Sequence, residues 1–401
     1  MPHDVALIAT VAMSLGYALV GGVIAARLKL SPIVGYLLAG IAAGPFTPGF
    51  VADKALAEQL AEIGVILLMF GVGMHFSMKD LMAVRWIAVP GALVQMAAAT
   101  VLGALLALTW GWSTGGAVVF GLALSVASTV VLLRALEDRQ ALASEEGHIA
   151  IGWLIVEDLA MVLALVLLPA LAGADGSPSL GAGSLAVHLA VTLAKVAAFI
   201  LVMLVGGTRL LPWLLDQVAR TGSRELFTLA IVAVALGVAF GSAELFGVSF
   251  ALGAFFAGIV INTSDHSHRA AKDAQPLQDA FGVLFFVSVG MLFDPAILIQ
   301  EPLKVAAVAA IILVGKALAA FLIVIAYRRP LRLALGIAAS LAQIGELSFV
   351  LAVLGGSLGL LPSAAESLIL AGAIISITVN PFVFRLAHWL ERHLSNDVAL
   401  R

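Results

Sequence analysis

Five charged side chains sit inside long apolar runs of the sequence: Glu157, Asp158, Lys195, Lys316 and Glu346. A charge at the centre of a bilayer costs roughly 2.5–3.5 kcal/mol on insertion scales, so each such residue needs a partner or a task. Glu157 and Asp158 are neighbours in GWLIVEDLAMVLALVLLP. Adjacent side chains on a helix point about 100° apart, so the two carboxylates must serve different surroundings. One can face an ion path while the other pairs with a cation or hydrogen-bonds within the protein. Carboxylates offer hard oxygen ligands to Na+ or K+ and also take a proton. A site that holds either a cation or a proton, but not both, is the minimum requirement for exchanging the two. Lys316, in IILVGKALAAFLIV, is too deep to snorkel easily and is expected to pair with an acid, Glu157 first. Glu346 lies beside Gly345 in SLAQIGELSFV, where a helix can unwind and a carboxylate can neutralise helix N-termini facing it. Lys195 is expected to play a structural or cavity-facing part. His75 and the group Asp265, His266, His268, Arg269, Lys272 and Asp273 read as solvated loop residues, with pH sensing the lesser alternative. His266 and His268 do not make a metal site on their own.

The elements that hold these charges are membrane helices. Of the 401 residues 62% are hydrophobic and 11% charged, with a mean hydropathy of +1.13; a soluble domain is nearer a quarter charged. A soluble chain of this composition would expose too much apolar surface, whereas helices in lipid satisfy their own backbone groups. The net charge of −3 and the scatter of charges through short loops give no nucleic-acid signature. Cysteine is absent, which removes disulfide, zinc and redox-pair chemistry. The N-terminal Met1-Pro2-His3-Asp4 lacks the basic start of a secretory signal, so the first apolar stretch is expected to be a retained helix. Apolar runs predict thirteen spans near 4–27, 31–48, 57–75, 86–110, 113–136, 147–171, 184–210, 224–241, 246–263, 276–293, 302–327, 331–358 and 363–389. The break between the eighth and ninth is placed at Gly241-Ser242-Ala243-Glu244. With the N-terminus outside, Lys54 and Lys304 are the only basic residues in outer loops and Lys195 and Lys316 the only ones within spans. The other basic residues of the 21 fall inside. That asymmetry predicts an outer N-terminus and a cytoplasmic C-terminus.

The sequence also repeats itself. LLMFGVGMHF at 67–76 aligns with LFFVSVGMLF at 284–293 at an offset of 217, and GYLLAGI at 35–41 aligns with GAFFAGI at 253–259 at an offset of 218. The paired spans are seven apart, an odd number, so their members run in opposite directions. The expected organisation is an all-α membrane domain with an inverted six-helix repeat at 1–171, a linker helix at 184–210, a second repeat at 224–389 and a tail at 390–401. Inverted repeats mark secondary transporters, with binding at the midplane where interrupted helices meet. The offset maps Ser125–Thr129 onto Ala342–Glu346, predicting crossing broken helices in spans five and twelve. The first segment has neither Gly nor Pro, so its hydroxyls could instead bond back to their own helix.

LLMFGVGMHFSMKDL (67–81), SVASTVVLLRAL (125–136), the acidic pair at 157–158, LFFVSVGMLFD (284–294), Lys316 and AQIGELSFV (342–350) together resemble Kef-type monovalent cation:proton antiporters, within the fold shared with NhaA and NapA. The resemblance covers essentially the whole chain. It implies a bacterial inner-membrane homodimer with a dimerisation scaffold and a core domain that moves as an elevator. It makes Asp158 the carboxylate that binds K+ or Na+ and the proton, with Glu157 beside it and Ser125, Ser128 and Thr129 at the helix crossover. Lys316 becomes the basic residue of span eleven, and Glu346, with Gln343, belongs to the break in span twelve. No cofactor is implied beyond the transported ions. Three features depart from the family pattern. Glu157 stands where Kef-type chains generally have Gln, as in the paired acids of electrogenic sodium antiporters. The loop 262–276 lacks the family's regulatory stretch, so glutathione gating is not supported. This chain stops at Arg401, before the cytoplasmic nucleotide-binding domain that usually follows the last span and without a Gly-rich phosphate loop, and is expected to be part of a longer protein. K+/H+ exchange is the leading expectation and Na+/H+ exchange the next. A cation-coupled organic solute carrier stands third, disfavoured by the charge set. A channel would need a continuous polar pore. An intramembrane enzyme is weakest, with no HExxH and no GxSxG with partner groups.

Overall fold

The computed structural model describes residues 3–28, 30–48, 53–75, 78–142, 144–175 and 182–398. Among them the regular elements are all helical. The first half of the chain forms α1 (His3–Arg27), α2 (Pro32–Ala43), α3 (Lys54–His75), α4 (Met78–Thr109), α5 (Thr114–Ser125), α6 (Thr129–Asp138) and α7 (Glu145–Asp175). A linker follows: α8 (Ala182–Val202), a π-helical turn at Met203–Gly207 and α9 (Thr208–Arg220). The second half forms α10 (Arg224–Phe246), α11 (Phe250–Asn262), α12 (Ser267–Met291), α13 (Ile297–Gln300), α14 (Pro302–Ala310), a π turn at Ile311–Lys316, α15 (Ala317–Ala326), α16 (Leu331–Leu341), α17 (Glu346–Ser357) and α18 (Ser363–Val398).

Each of the thirteen apolar segments is helical, but they differ in what they can span. Among the described residues eight helices are long and apolar enough to cross a bilayer, and the bent pair α16–α17, angled at 42°, makes a ninth. α2, α5 and α11 hold only 12 or 13 residues. At 1.5 Å per residue each covers about 20 Å, less than the roughly 30 Å of hydrocarbon. The break between the eighth and ninth segments falls later than the sequence suggests. Gly241 stays helical, and α10 ends at Gly247, whose left-handed φ of 64° closes the helix with bonds back to Ala243 and Ser242. Ser249 then caps α11 by accepting from the Leu252 N–H.

The chain forms two compact units, each drawing on both halves. One gathers residues 1–18, 49–77 and 162–289, the other 19–48, 78–161 and 290–401. In the first, α3 crosses α11 where Gly73 faces the Phe255 carbonyl and Gly258 faces the Phe70 carbonyl, and a Cβ at either would enter the opposing backbone. In the second, Gly290 at the end of α12 sits on the Leu37 carbonyl beside Gly40 of α2. The repeated motifs are thus one another's packing partners, twice over. The same second unit contains every charge of the candidate site.

Candidate ion site at the crossing of two interrupted helices

α5 stops at Ser125 because Val126 is extended (φ −98°, ψ 131°), and α6 starts at Thr129. The intervening residues would leave buried backbone groups unpaired unless something else bonded them. Side chains do this. Gln95 of α4 donates through Nε2 to the Ser125 carbonyl (3.1 Å), and its Oε1 accepts from Trp153 Nε1 of α7 (3.2 Å). The Ala127 N–H donates to Glu157 Oε2 at 2.7 Å. Ser128 N–H donates to Gln343 Oε1 (2.9 Å), and Gln343 Nε2 returns a bond to the Ser128 carbonyl (3.1 Å). This reciprocal pair ties the first break to the second, between α16 and α17. There Gly345 lies directly against Ser128, and a Cβ would overlap its Cα.

The charged groups cluster on this crossing. Ser128 Oγ donates to Glu346 Oε2 (3.0 Å) and accepts from the Val131 N–H (3.3 Å), which caps α6. Thr129 Oγ1 donates to Asp158 Oδ2 at 3.2 Å. Lys316 ends the π turn with its side chain fully buried, and its Nζ donates to the Gln343 carbonyl at 3.0 Å. Glu157, the acid expected to pair with Lys316, acts on it by charge rather than through a hydrogen bond, and the bond goes to the Gln343 carbonyl. Glu157, Asp158 and Glu346 are buried, and among the described residues Lys316 is the one buried ammonium. Fully ionised, that set carries an excess of negative charge that a monovalent cation or a proton can offset.

The expected residues therefore come together: Asp158, Glu157, Thr129, Ser128, Gln343, Glu346 and Lys316 join one network. Ser125 contributes its carbonyl, while its hydroxyl bonds back to Leu122 O. Other expected residues lie elsewhere. Lys195 is exposed on α8, and His266 bonds Asp216 through Nε2 (3.0 Å). The side chain of His75 falls outside the described residues. Sequence reasoning missed Gln95, Trp153 and Asn380, whose Nδ2 donates to the Ala339 carbonyl at 2.9 Å. The signal for Gln95 and Asn380 was an uncharged amide inside an apolar span. Among the described residues no three His, Cys, Asp or Glu side chains form a multi-ligand metal cluster.

The transmembrane sodium/hydrogen exchanger family model matches residues 14–388. YbaL of Escherichia coli K12, named as a candidate cation/proton antiporter, is 61% identical over 400 residues, covering 100% of this chain and 71% of YbaL. K(+) efflux antiporter 4 of Arabidopsis thaliana is 33% identical over 96% of this chain and 64% of its own length. Among solved structures, the sodium proton antiporter MjNhaP1 of Methanocaldococcus jannaschii superposes with a TM-score of 0.67 at 18% identity, over 94% of this chain and 98% of that one, which shows a shared fold. The chain belongs to the sodium/hydrogen exchanger family of membrane cation/proton antiporters.

Proposed function

We propose that this chain exchanges K+ for H+ across a bacterial inner membrane by alternating access, with Asp158 holding the cation or the proton in turn. The observation that carries the reading is the position of Asp158, bonded by Thr129 where two interrupted helices cross. Backbone ends and a carboxylate meet there without a continuous helix to block them. K+ as cargo draws on the relatives named K+ efflux antiporters, at 32–33% identity. Na+ is the second reading, favoured by the acid at Glu157 where Kef-type chains generally have Gln. Around this site we place thirteen crossings in two inverted repeats, an outer N-terminus, a homodimer and an elevator movement of the core. The packing of the repeated glycine motifs on each other supports the repeats. A cytoplasmic regulatory domain in a longer protein fits the 71% of YbaL that this chain spans.

Proteoliposomes with an internal pH dye, challenged separately with K+, Na+, Li+ and Rb+, test the reading. At least one alkali cation should dissipate the pH gradient, and Asp158→Asn should abolish the response. One-for-one competition raises the apparent cation KM by at most about tenfold for each unit the pH falls. Full cation-driven proton flux in D158N, or no response to any of the four, would falsify the reading.

A further inference from the structure

We infer that Glu346, rather than Glu157, is the second carboxylate of the ion site and faces the same cation as Asp158. The inference rests on Asp158 being the ion carboxylate, and it assigns the remaining charges around it.

The two hydroxyls at the start of α6 supply the first argument. Ser128 Oγ bonds Glu346 Oε2 (3.0 Å), and the next residue, Thr129, bonds Asp158 Oδ2 (3.2 Å). Consecutive residues thus tether two carboxylates from two other helices to one helix start. Glu157, although adjacent to Asp158 in sequence, diverges from it by about 100° around α7. Its Oε2 is committed to the Ala127 N–H, and Lys316 is the cation that acts on it.

Accessibility points the same way. Asp158 and Glu346 keep 5% and 6% of their surface accessible, while Glu157 keeps 0% and its Oε1 reaches neither solvent nor a donor. Asp158 Oδ1 takes no hydrogen bond from a described residue. Asp158 and Glu346 therefore keep surface that a cation can reach, and Glu157 does not. Two carboxylates with two hydroxyls form a hard oxygen set that suits an alkali cation. When the cation leaves, two like charges remain in a buried site, and a proton is the counter-charge that restores balance. Glu157 and Lys316 are then positioning groups that hold the two breaks.

Cation-dependent thermal stabilisation of the purified protein, titrated with KCl, NaCl or LiCl against choline chloride at matched ionic strength, reads binding apart from transport. E346Q should raise the apparent Kd of the best cation at least tenfold, and E157Q should raise it less. E346D keeps the charge but shortens its reach, and should change the order of preference among the three cations. The inference is overturned if E346Q binds within twofold of wild type, or if E157Q loses more affinity than E346Q. If E346Q does not fold, an unchanged affinity and preference order in E346D overturns it equally. D158N separates the two readings: wild-type binding in D158N sinks the Asp158 assignment itself, whereas loss in D158N with retention in E346Q sinks only this inference.

Discussion

The two helix breaks occupy equivalent places in the two halves of the chain, yet they are made in different ways. The break at 342–345 is largely built into its own segment. Gln343 N–H bonds the Leu341 carbonyl (2.8 Å), Gly345 is extended, and Ser348 N–H bonds back to Gly345 O (3.1 Å). The break at 126–128 contains no Gly or Pro and relies on other helices: Gln95 from α4, Glu157 from α7 and Gln343 from the opposite break. One interruption is local, and the other exists because distant side chains offer its backbone better partners than the next helical turn. The active geometry thus depends on an asymmetric pair in which the second break supports the first.

The sharpest way to disrupt the pair is to separate the two backbones. In Gly345→Ala the new Cβ meets the Ser128 backbone, not a side chain that could swing away. Overpacking of this kind should cost about 3 kcal/mol, and a displacement near 1 Å at the site should cut transport about 100-fold. Gly237→Ala is the control, because that position in α10 opens on empty space and alanine favours a helix interior by about 1 kcal/mol. Denaturation midpoints and proteoliposome flux measure both. A G345A protein with wild-type flux would show that the contact between the breaks has no functional weight.

Gln343→Ala tests the next link, since it removes the acceptor for Ser128 N–H and a donor to the Ser128 carbonyl. Leaving those buried groups unpaired should cost about 2 kcal/mol and lower transport about tenfold. Hydrogen exchange should rise at residues 126–128 more than at 342–345, because the second break keeps its internal bonds. Equal protection loss at both breaks would show that the second break depends on the first as much as the first does on it.

Gln95→Leu acts on the first break alone. It orphans the Ser125 carbonyl and the Trp153 Nε1–H, so the expected loss is about 1–2 kcal/mol. Transport should fall by less than in Q343A. A larger loss in Q95L than in Q343A would place the main support of the first break on α4.

Much of this arrangement is legible in the sequence, for reasons that differ between parts. Apolar runs locate the helices because lipid forces backbone groups to pair within a segment. The charges Glu157, Asp158, Lys316 and Glu346 stand out because each is costly in an apolar span. Gly345 announces the second break. Nothing local announces the first, since its partners are 30 and 215 residues away. The hydrogen-bond partner of Lys316 is hidden for a similar reason. Opposite charges point to Glu157, which does act on the ammonium, but the bond itself goes to the Gln343 carbonyl at the second break. The Gly241–Glu244 boundary failed because a glycine within a helix and a glycine ending one look alike until φ is known; Gly247 ends α10 at a left-handed φ.

Glu157→Gln should have the smallest structural effect and isolates charge from geometry. A glutamine oxygen can still accept the Ala127 N–H, so the first break keeps its hydrogen bond and stability should change by less than about 1 kcal/mol. What disappears is one negative charge beside Lys316, close to the site but outside the pair inferred to hold the cation. Moving a charge across the membrane is worth about 2.3 kcal/mol per 100 mV, so a changed charge balance at the proposed transport site should appear as a changed voltage dependence of flux. Measured with and without a clamped potential, E157Q should differ from wild type in that ratio more than in its apparent cation affinity. Equal ratios in the two proteins would remove Glu157 from charge coupling and leave it as the acceptor that keeps α5 and α6 apart.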